Sequence, residues 1–501
     1  MCGIAGIWGQ ADEALVGKMM KRLAHRGPDA RGRHDGPHGT LGHRRLSIMD
    51  PAGGHQPIYS ENGSTVIVAN GEFYNHPSLK QELGKEHHYR TASDTETVIH
   101  LYEEIGKEAV HHLDGMYAFA LAEGEDLFLA RDPIGIKPLY YWIGNGHVAF
   151  ASELKALVDS AEDVKTFPPG TWFHSRHGFH TFYEVPDYLP RELPLGPRIN
   201  LLRQVLENAV VKRLMSDVPL GAFLSGGLDS SLIAALARPH VNELHTFAVG
   251  VEGSSDLQAA REVARHLDTV HHEHILEPCE VITHLPRIIY MLESYDQDVV
   301  RSAIPCYFTA RLAADHVKVI LTGEGADELF AGYTYYKEIG DIETLQQELR
   351  RSVTALHSIN LQRVDRMTMA HSIEGRVPFL DLEVIELAQT IPSDLKLHRD
   401  AEGTLIEKWI LRKVAEDLLP AEIVWRDKEQ FDEGSGTVDL LTSVLPHFGT
   451  DRDAESGSRE NDKAPRSSAE EEIYYKLLTD CFSCSEPILA NVAHWRGHSP
   501  D

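Results

Sequence analysis

The sequence predicts two domains in series, one α+β and one α/β. A packed sheet-and-helix sandwich covers residues 1–185, a linker covers 186–197, and a doubly wound parallel sheet covers 198–501. Three observations predict this. Short apolar stretches punctuated by Gly, Asn and Pro fill the first part. Four prolines then interrupt the chain between Pro186 and Pro197. From about residue 198 the rhythm changes to helix, strand, helix.

The elements follow in order. Thr65–Gly71, Asp126–Ala130 and His147–Ala151 read as strands, with helical patterns at 14–25 and 94–113. Asn70-Gly71 reads as a turn dipeptide ending its strand, and Ser93-Asp94-Thr95-Glu96 as a helix start. Past the linker, Asn200–Met215 is an amphipathic helix, Pro219–Leu224 a short buried strand, and Ser230–Leu236 opens a helix. Leu244–Val251 and Val317–Leu321 repeat the strand signature. Met367 and Met369 read as core residues on a helix. The polar stretch 449–470 is expected to be a mobile loop.

At 501 residues the chain has room for two or three cores. A net charge of −28 speaks against a nucleic-acid surface, which needs clustered positive charge. No apolar run approaches a membrane span, and no signal peptide is visible. Five scattered cysteines fit a reducing cytoplasm rather than a disulfide framework.

Cys2 is the first chemical signal. With Met1 trimmed, its thiol and a free α-amine share one framework, and such an amine titrates near pH 7.7–8.0. A nucleophile with a built-in base is the logic of N-terminal nucleophile hydrolases. Hydrolysis of a primary amide through a thioester also needs an oxyanion hole, for which the Asn70 side-chain amide and the Gly71 N–H are candidates. A free amino-acid substrate needs matched charges, for which Arg45 and Asp94 are candidates. Cys2-Gly3-Ile4, His25 through Asp29, Arg45 through Ile48, Asn70-Gly71-Glu72, Ser93 through Glu96 and Arg131 through Leu139 occur in this order. Together they resemble the class II glutamine amidotransferase domain over about 1–185. The resemblance implies an αββα N-terminal-nucleophile glutaminase sandwich in which Cys2 attacks the glutamine side chain and releases ammonia. It also implies that Arg45, Leu46, Ser47, Ile48, Met49, Asn70, Gly71, Glu72 and Asp94 hold the glutamine.

The second signal is Ser225-Gly226-Gly227-Leu228-Asp229-Ser230-Ser231, between a strand and a helix. Small residues let backbone N–H groups approach a polyphosphate, and the helix start favours an anion. The Gly-Lys-Ser/Thr of a Walker loop is missing. The loop resembles the PP-loop of enzymes that cleave ATP to AMP and pyrophosphate, a fold of the adenine nucleotide alpha hydrolase type. Thr322-Gly323-Glu324-Gly325-Ala326-Asp327-Glu328 follows a second strand and supports a nucleotide edge. With Ser216 through Pro219, Phe247 through Gly250, Glu374 through Asp381 and Arg426 through Phe431, nearly the whole chain resembles the glutamine-hydrolysing asparagine synthetase family.

That resemblance implies ATP contacts from Leu224, Ser225, Gly226, Gly227, Asp229, Ser230, Val249, Thr322, Gly323 and Lys428. It implies Mg²⁺ on Asp229 and Asp327, and a catalytic Glu324. Arg301, Glu374 and Arg376 are candidates for the acceptor or the edge of its site. Thr322, Ala326 and Gly375 are small-for-small departures from the family's commonest pattern. The tail beyond about 433 does not resemble the family closely.

The partners implied are glutamine, aspartate and ATP, with Mg²⁺ as cofactor, no nucleic acid and no membrane. A homodimer is left open. Three alternatives remain: another carboxylate acceptor in secondary metabolism, a sugar-phosphate amidotransferase, and a degenerate non-catalytic relative. The second has no use for Ser225 through Ser231, and the third none for an intact Cys2, Asp229, Glu324 and Asp327.

Two patterns are set aside. His271-His272-Glu273-His274 lies on a strand, where neighbours point to opposite faces, so at most two of the four converge and a structural or surface role is expected. Cys481 and Cys484 have zinc-like spacing but no second ligand pair.

Overall fold

The computed structural model describes residues 2–159, 163–449, 468–482 and 484–495; the loop expected at 449–470 lies outside them from 450 to 467. In the N-terminal part, two six-stranded antiparallel sheets face each other. The first runs Lys165–Thr166, Tyr140–Gly144, His147–Ala151, Gly3–Trp8, Gly39–Arg45, Ala30–Asp35 from edge to edge. The second runs Gly178–Thr181, Thr171–His174, Asp126–Arg131, Gly115–Glu123, Thr65–Phe73, Ile58–Tyr59.

Alternation builds the layers. Ile4, Trp8 and Leu41 of the first sheet meet Val66, Val68, Ala118, Ala120, Leu127 and Leu129 of the second. The residues between them in sequence turn outward. Ala5 and Ile7 pack under Val16, Met19 and Met20 of the helix Glu13–Arg22. Ile67, Ala69, Phe119 and Leu121 pack under Val98 and Ile99 of the helix Asp94–Ile105. The result is helix, sheet, sheet, helix, as the sandwich expectation requires.

Three boundaries differ from the sequence reading. The helix expected over 94–113 stops at Ile105, because Gly106 sits at φ +59 and the chain continues as a tighter 3₁₀ turn to His112. The helix expected from Asn200 starts at Leu195, inside the predicted linker. Pro197 hides that start, yet a first-turn proline loses no hydrogen bond. The third concerns Asn70-Gly71, which makes no turn: the strand Thr65–Phe73 runs straight through it. A Cβ on Gly71 would lie 2.2 Å from the Met116 carbonyl, so glycine is there for a close strand approach.

The C-terminal part is built on a five-stranded, all-parallel sheet. Its order is Val270–Ile275, His245–Gly250, Leu220–Phe223, Val319–Leu321, Glu374–Arg376. The order reverses beside Leu220–Phe223, the sheet's first strand in sequence. The crevice at such a reversal, beyond the carboxyl ends of the strands, is where doubly wound folds bind ligands. Met367 and Met369 are buried on the helix Asn360–Met369. Among the described residues, no helix is long and apolar enough to cross a membrane.

Candidate active sites

Cys2 opens the central strand pair of the first sheet and is buried. Its backbone N–H donates to Asn70 Oδ1 at 2.9 Å, and its thiol reaches the Leu46 carbonyl at 3.8 Å. Because Asn70 turns its oxygen to Cys2, its Nδ2 is buried with no hydrogen-bond partner among the described residues. A buried, unsatisfied donor beside a thiol is what an oxyanion hole requires before substrate arrives. Burial pushes the Cys2 thiol up, and the Arg45 charge pulls it partly back.

The other glutamine candidates gather around this point. The Arg45 guanidinium donates to the carbonyls of Met49, Asp50 and Pro51 at 2.6–3.2 Å and so shapes the loop after Leu46-Ser47-Ile48. Asp94 accepts from the Phe73 N–H at 2.8 Å, and burial pushes its carboxyl up to about 6, leaving it ionised at neutral pH. Glu72 is buried, and its carboxyl is pushed well up by burial and by Glu374 and Asp94.

Between the domains lies a polar seam. The buried Arg26 guanidinium donates to the Cys2 carbonyl (2.9 Å), to Glu153 (2.7 Å) and to both oxygens of Asp365 (2.7 and 3.0 Å). One side chain therefore ties the nucleophile's backbone to a helix of the other domain. Removing one partner of a buried ion pair costs about 3–5 kcal/mol. Arg26→Met is expected to lose that much stability in a denaturant titration, and Arg26→Met/Asp365→Leu to lose clearly less than the sum of the single changes.

Glu374 and Arg376 belong to this seam rather than to the nucleotide crevice. Both are fully buried on the edge strand Glu374–Arg376. Arg376 Nε donates to Glu374 at 2.6 Å, and Nη1 donates to the Arg213 and Met215 carbonyls, also at 2.6 Å. Nη2 stands 3.7 Å from Glu72. Arg301 is clamped by Glu470 at 2.9 and 2.7 Å, beside Asp298 and Asp432 of the crevice wall.

The crevice at the reversal of strand order is a cavity of about 650 Å³. Leu224, Ser225, Gly227, Asp229, Ser230, Val249, Thr322, Gly323, Glu324, Asp327 and Lys428 line it. In the first loop the Gly227 N–H donates to Ser225 Oγ at 3.3 Å, and the two hydroxyls of Ser225 and Ser230 are 3.0 Å apart. Gly226 does not line the cavity; it is the hinge of the loop. Its φ of +76 and a virtual Cβ 2.5 Å from Ala260 N admit no side chain. Gly323 lets the second loop lie against the first, since a Cβ there would be 2.9 Å from Asp229 Cβ.

Lys408, which the sequence reading missed, is central. Its ammonium sits 2.5 Å from Asp229 and 2.5 Å from Asp327, and Lys428 reaches Asp327 at 2.9 Å. A Cβ on Gly332 would lie 2.1 Å from Lys408 Cε, so that glycine clears the lysine's path. Despite burial, the two lysines hold the Asp327 carboxyl far below the usual range. The two carboxylates thus face one ammonium, and Asp229 Oδ1, with no partner among the described residues, is left to meet a further cation. An all-oxygen donor set of this kind fits Mg²⁺. Glu324 faces the same cavity, paired with Arg363, and burial raises its carboxyl. Arg363 and Lys408 carried no motif, so only the fold could reveal them.

Comparison with known proteins accords with this geometry. Residues 1–173 match the glutamine amidotransferase domain family, and residues 201–342 and 337–461 match the asparagine synthase family. Over 460 residues the chain is 43% identical to asparagine synthetase [glutamine-hydrolyzing] 2 of Oryza sativa subsp. japonica, covering 87% of this chain and 78% of the relative. It is 42% identical over 477 residues to asparagine synthetase [glutamine-hydrolyzing] of Zea mays, covering 90% and 81%. The chain belongs to the glutamine-hydrolysing asparagine synthetase family.

Proposed function

We propose that the chain makes asparagine from aspartate, ATP and glutamine. Cys2 adds to the glutamine carboxamide, ammonia leaves, and water resolves the thioester to glutamate. At the second site the aspartate side-chain carboxylate attacks the α-phosphorus of ATP, and pyrophosphate departs. Ammonia then displaces AMP from the β-aspartyl-AMP. The observation that carries this reading is the pairing, in one chain, of a buried thiol beside a poised Asn70 Nδ2 with a lysine-bridged carboxylate pair at a PP-loop.

Each residue has a defined task. Asn70 Oδ1 anchors the Cys2 nitrogen, which is the α-amine once Met1 is removed, while Nδ2 receives the oxyanion. Gly71 offers its backbone N–H to the same oxygen. Arg45 and Asp94, with Leu46 through Met49 and Glu72, frame the amino-acid end of glutamine. Ser225 through Ser230 and Lys428 cradle the phosphates, with Leu224, Val249, Thr322 and Gly323 on the nucleoside side. Glu324 stands beside the acceptor carbonyl. Asp229 and Asp327 would hold Mg²⁺, whose charge neutralises the departing pyrophosphate.

Loss of one oxyanion donor typically costs 10²–10³ in kcat. Asn70→Ala is therefore expected to slow glutamine hydrolysis by about 100-fold or more, with synthesis from ammonium within twofold of the parent. Ammonia protonates in bulk water and loses its nucleophilicity, so it must travel internally between the sites. Nitrogen-15 amide-labelled glutamine in excess unlabelled ammonium should give labelled asparagine; full dilution of the label would remove the internal route. A cytoplasmic location and a homodimer complete the proposal, the latter checked by sedimentation.

The reading as a whole is tested by product analysis after incubation with ATP, Mg²⁺, aspartate and glutamine. Asparagine, AMP, pyrophosphate and glutamate in equal amounts are expected. Pyrophosphate release that ignores aspartate and answers another carboxylate would overturn the acceptor.

A further inference from the structure

The His271-His272-Glu273-His274 run is resolved by the fold in an unexpected way. His271 turns to Thr246 (2.9 Å), and His274 to Glu280 (2.9 Å). His272 alone turns toward two histidines from other elements. One is His245, the first residue of the neighbouring strand. The other is His316, in the turn between the helix Gln297–Ala313 and the strand Val319–Leu321. His245 Nδ1 and His272 Nε2 are 3.0 Å apart, and one nitrogen from each of the three rings lies within 4.8 Å of the others.

We propose that His245, His272 and His316 form a surface site for a divalent transition-metal ion of the zinc type, at the opposite end of the strands from the nucleotide crevice. The chemistry of the donor set carries the assignment. Three imidazoles with an open fourth position suit Zn²⁺ and its neighbours in the series, and not Mg²⁺ or Ca²⁺, which take oxygen. Zinc–nitrogen bonds of about 2.0–2.1 Å in a tetrahedron place ligand nitrogens roughly 3.3 Å apart. The first pair already stands close to that separation, and the exposed His316 ring, stacked on His272 at 3.9 Å between centroids, must turn to aim a nitrogen at the same point.

A second observation is independent of the three rings. The far nitrogen of His245, Nε2, lies 3.1 Å from the Glu243 carboxylate. A carboxylate behind a ligating histidine fixes its tautomer and raises its basicity, and its loss typically costs 10–100-fold in metal affinity. Phe247 supports the cluster from the same face, its ring 5.0 Å from His272. The site lies at the amino ends of the parallel strands, roughly 13 Å along its strand from Val249 at the nucleotide crevice.

The test is direct binding, which reads the ion itself rather than its effect on turnover. The full chain, stripped with chelator, is titrated with Zn²⁺ alone by calorimetry and then with Co²⁺ in the visible range. His316→Ala is the main variant, since an exposed turn residue leaves the core intact, and Glu243→Gln is the second. Expected are one Zn²⁺ fewer, or at least tenfold weaker binding, in His316→Ala and an intermediate loss in Glu243→Gln. A four-coordinate Co²⁺ band should be present in the parent and absent from His316→Ala. Unchanged stoichiometry and affinity in His316→Ala would overturn the site. Any Zn²⁺ would then sit elsewhere, for example at His87, His100 and Glu103, and the three rings would be an aromatic stack on Phe247.

Discussion

Cys2→Ala is expected to abolish glutamine-dependent asparagine formation, by at least about 1,000-fold, while synthesis from ammonium stays within twofold of the parent. The first half follows from chemistry. Among the described residues the other buried thiol, Cys306, lies on the helix Gln297–Ala313 of the other domain, and burial pushes it up to about 12. Without a thioester, the poised oxyanion hole has no nucleophile to serve. The second half follows from where Cys2 sits. Its thiol makes one weak hydrogen bond, to the Leu46 carbonyl, whereas its backbone bonds Asn70 and, through Arg26, is tied to Asp365 of the synthetase half. Alanine keeps those bonds, so the far site keeps its geometry. The measurement is paired product analysis with glutamine or ammonium as nitrogen source. Equal loss with both donors would mean that the thiol also supports the synthetase site, and the two-site reading would fall.

The contrast between these sites also shows what a linear sequence exposes. The layers were legible because short apolar runs, in strands such as Thr65–Phe73 and in the parallel strands, are set locally. The loops at Ser225 and Thr322 were legible because phosphate-cradling needs small residues in consecutive positions. Asn70-Gly71 misled at the level of shape, since the same dipeptide serves a hairpin turn and a tight strand crossing, and only the Met116 carbonyl opposite decides between them. Nothing local to Arg376 and Glu374 announced their pairing with each other and with Glu72. Their strand is the sheet's edge, and which side of it the other domain covers is set by contacts such as Arg26–Asp365, 339 residues apart in sequence. Lys408 left no local trace at all. A single lysine before a helix is unremarkable until the fold sets it between two acids from loops about 80 and 180 residues away in sequence.

Lys408→Met is accordingly expected to lower pyrophosphate release by about 100-fold or more with either nitrogen source, and to leave glutamine hydrolysis at Cys2 within twofold. The side chain is almost wholly buried, with its charge 2.5 Å from both Asp229 and Asp327. Without it, the two carboxylates that shared one ammonium repel each other; two unit charges roughly 4 Å apart at an effective dielectric of about 20 interact by about 4 kcal/mol. Asp327, held low by its lysines, then moves up, and the pair either takes a proton or relaxes apart. Both outcomes spoil the converging oxygens that ATP and its counter-ion need. The backbone supplies the control. Lys408 adopts φ +54, a left-handed conformation that glycine tolerates without strain. Lys408→Gly should therefore match Lys408→Met in lost turnover yet melt at a higher temperature, which separates charge from backbone relief. Lys408→Arg should rescue little, because a planar fork cannot replace a point charge between two oxygens at this spacing. Retention of pyrophosphate release within threefold in Lys408→Met would reduce the lysine to a structural spacer, and the phosphate-side chemistry would then rest on Lys428 alone.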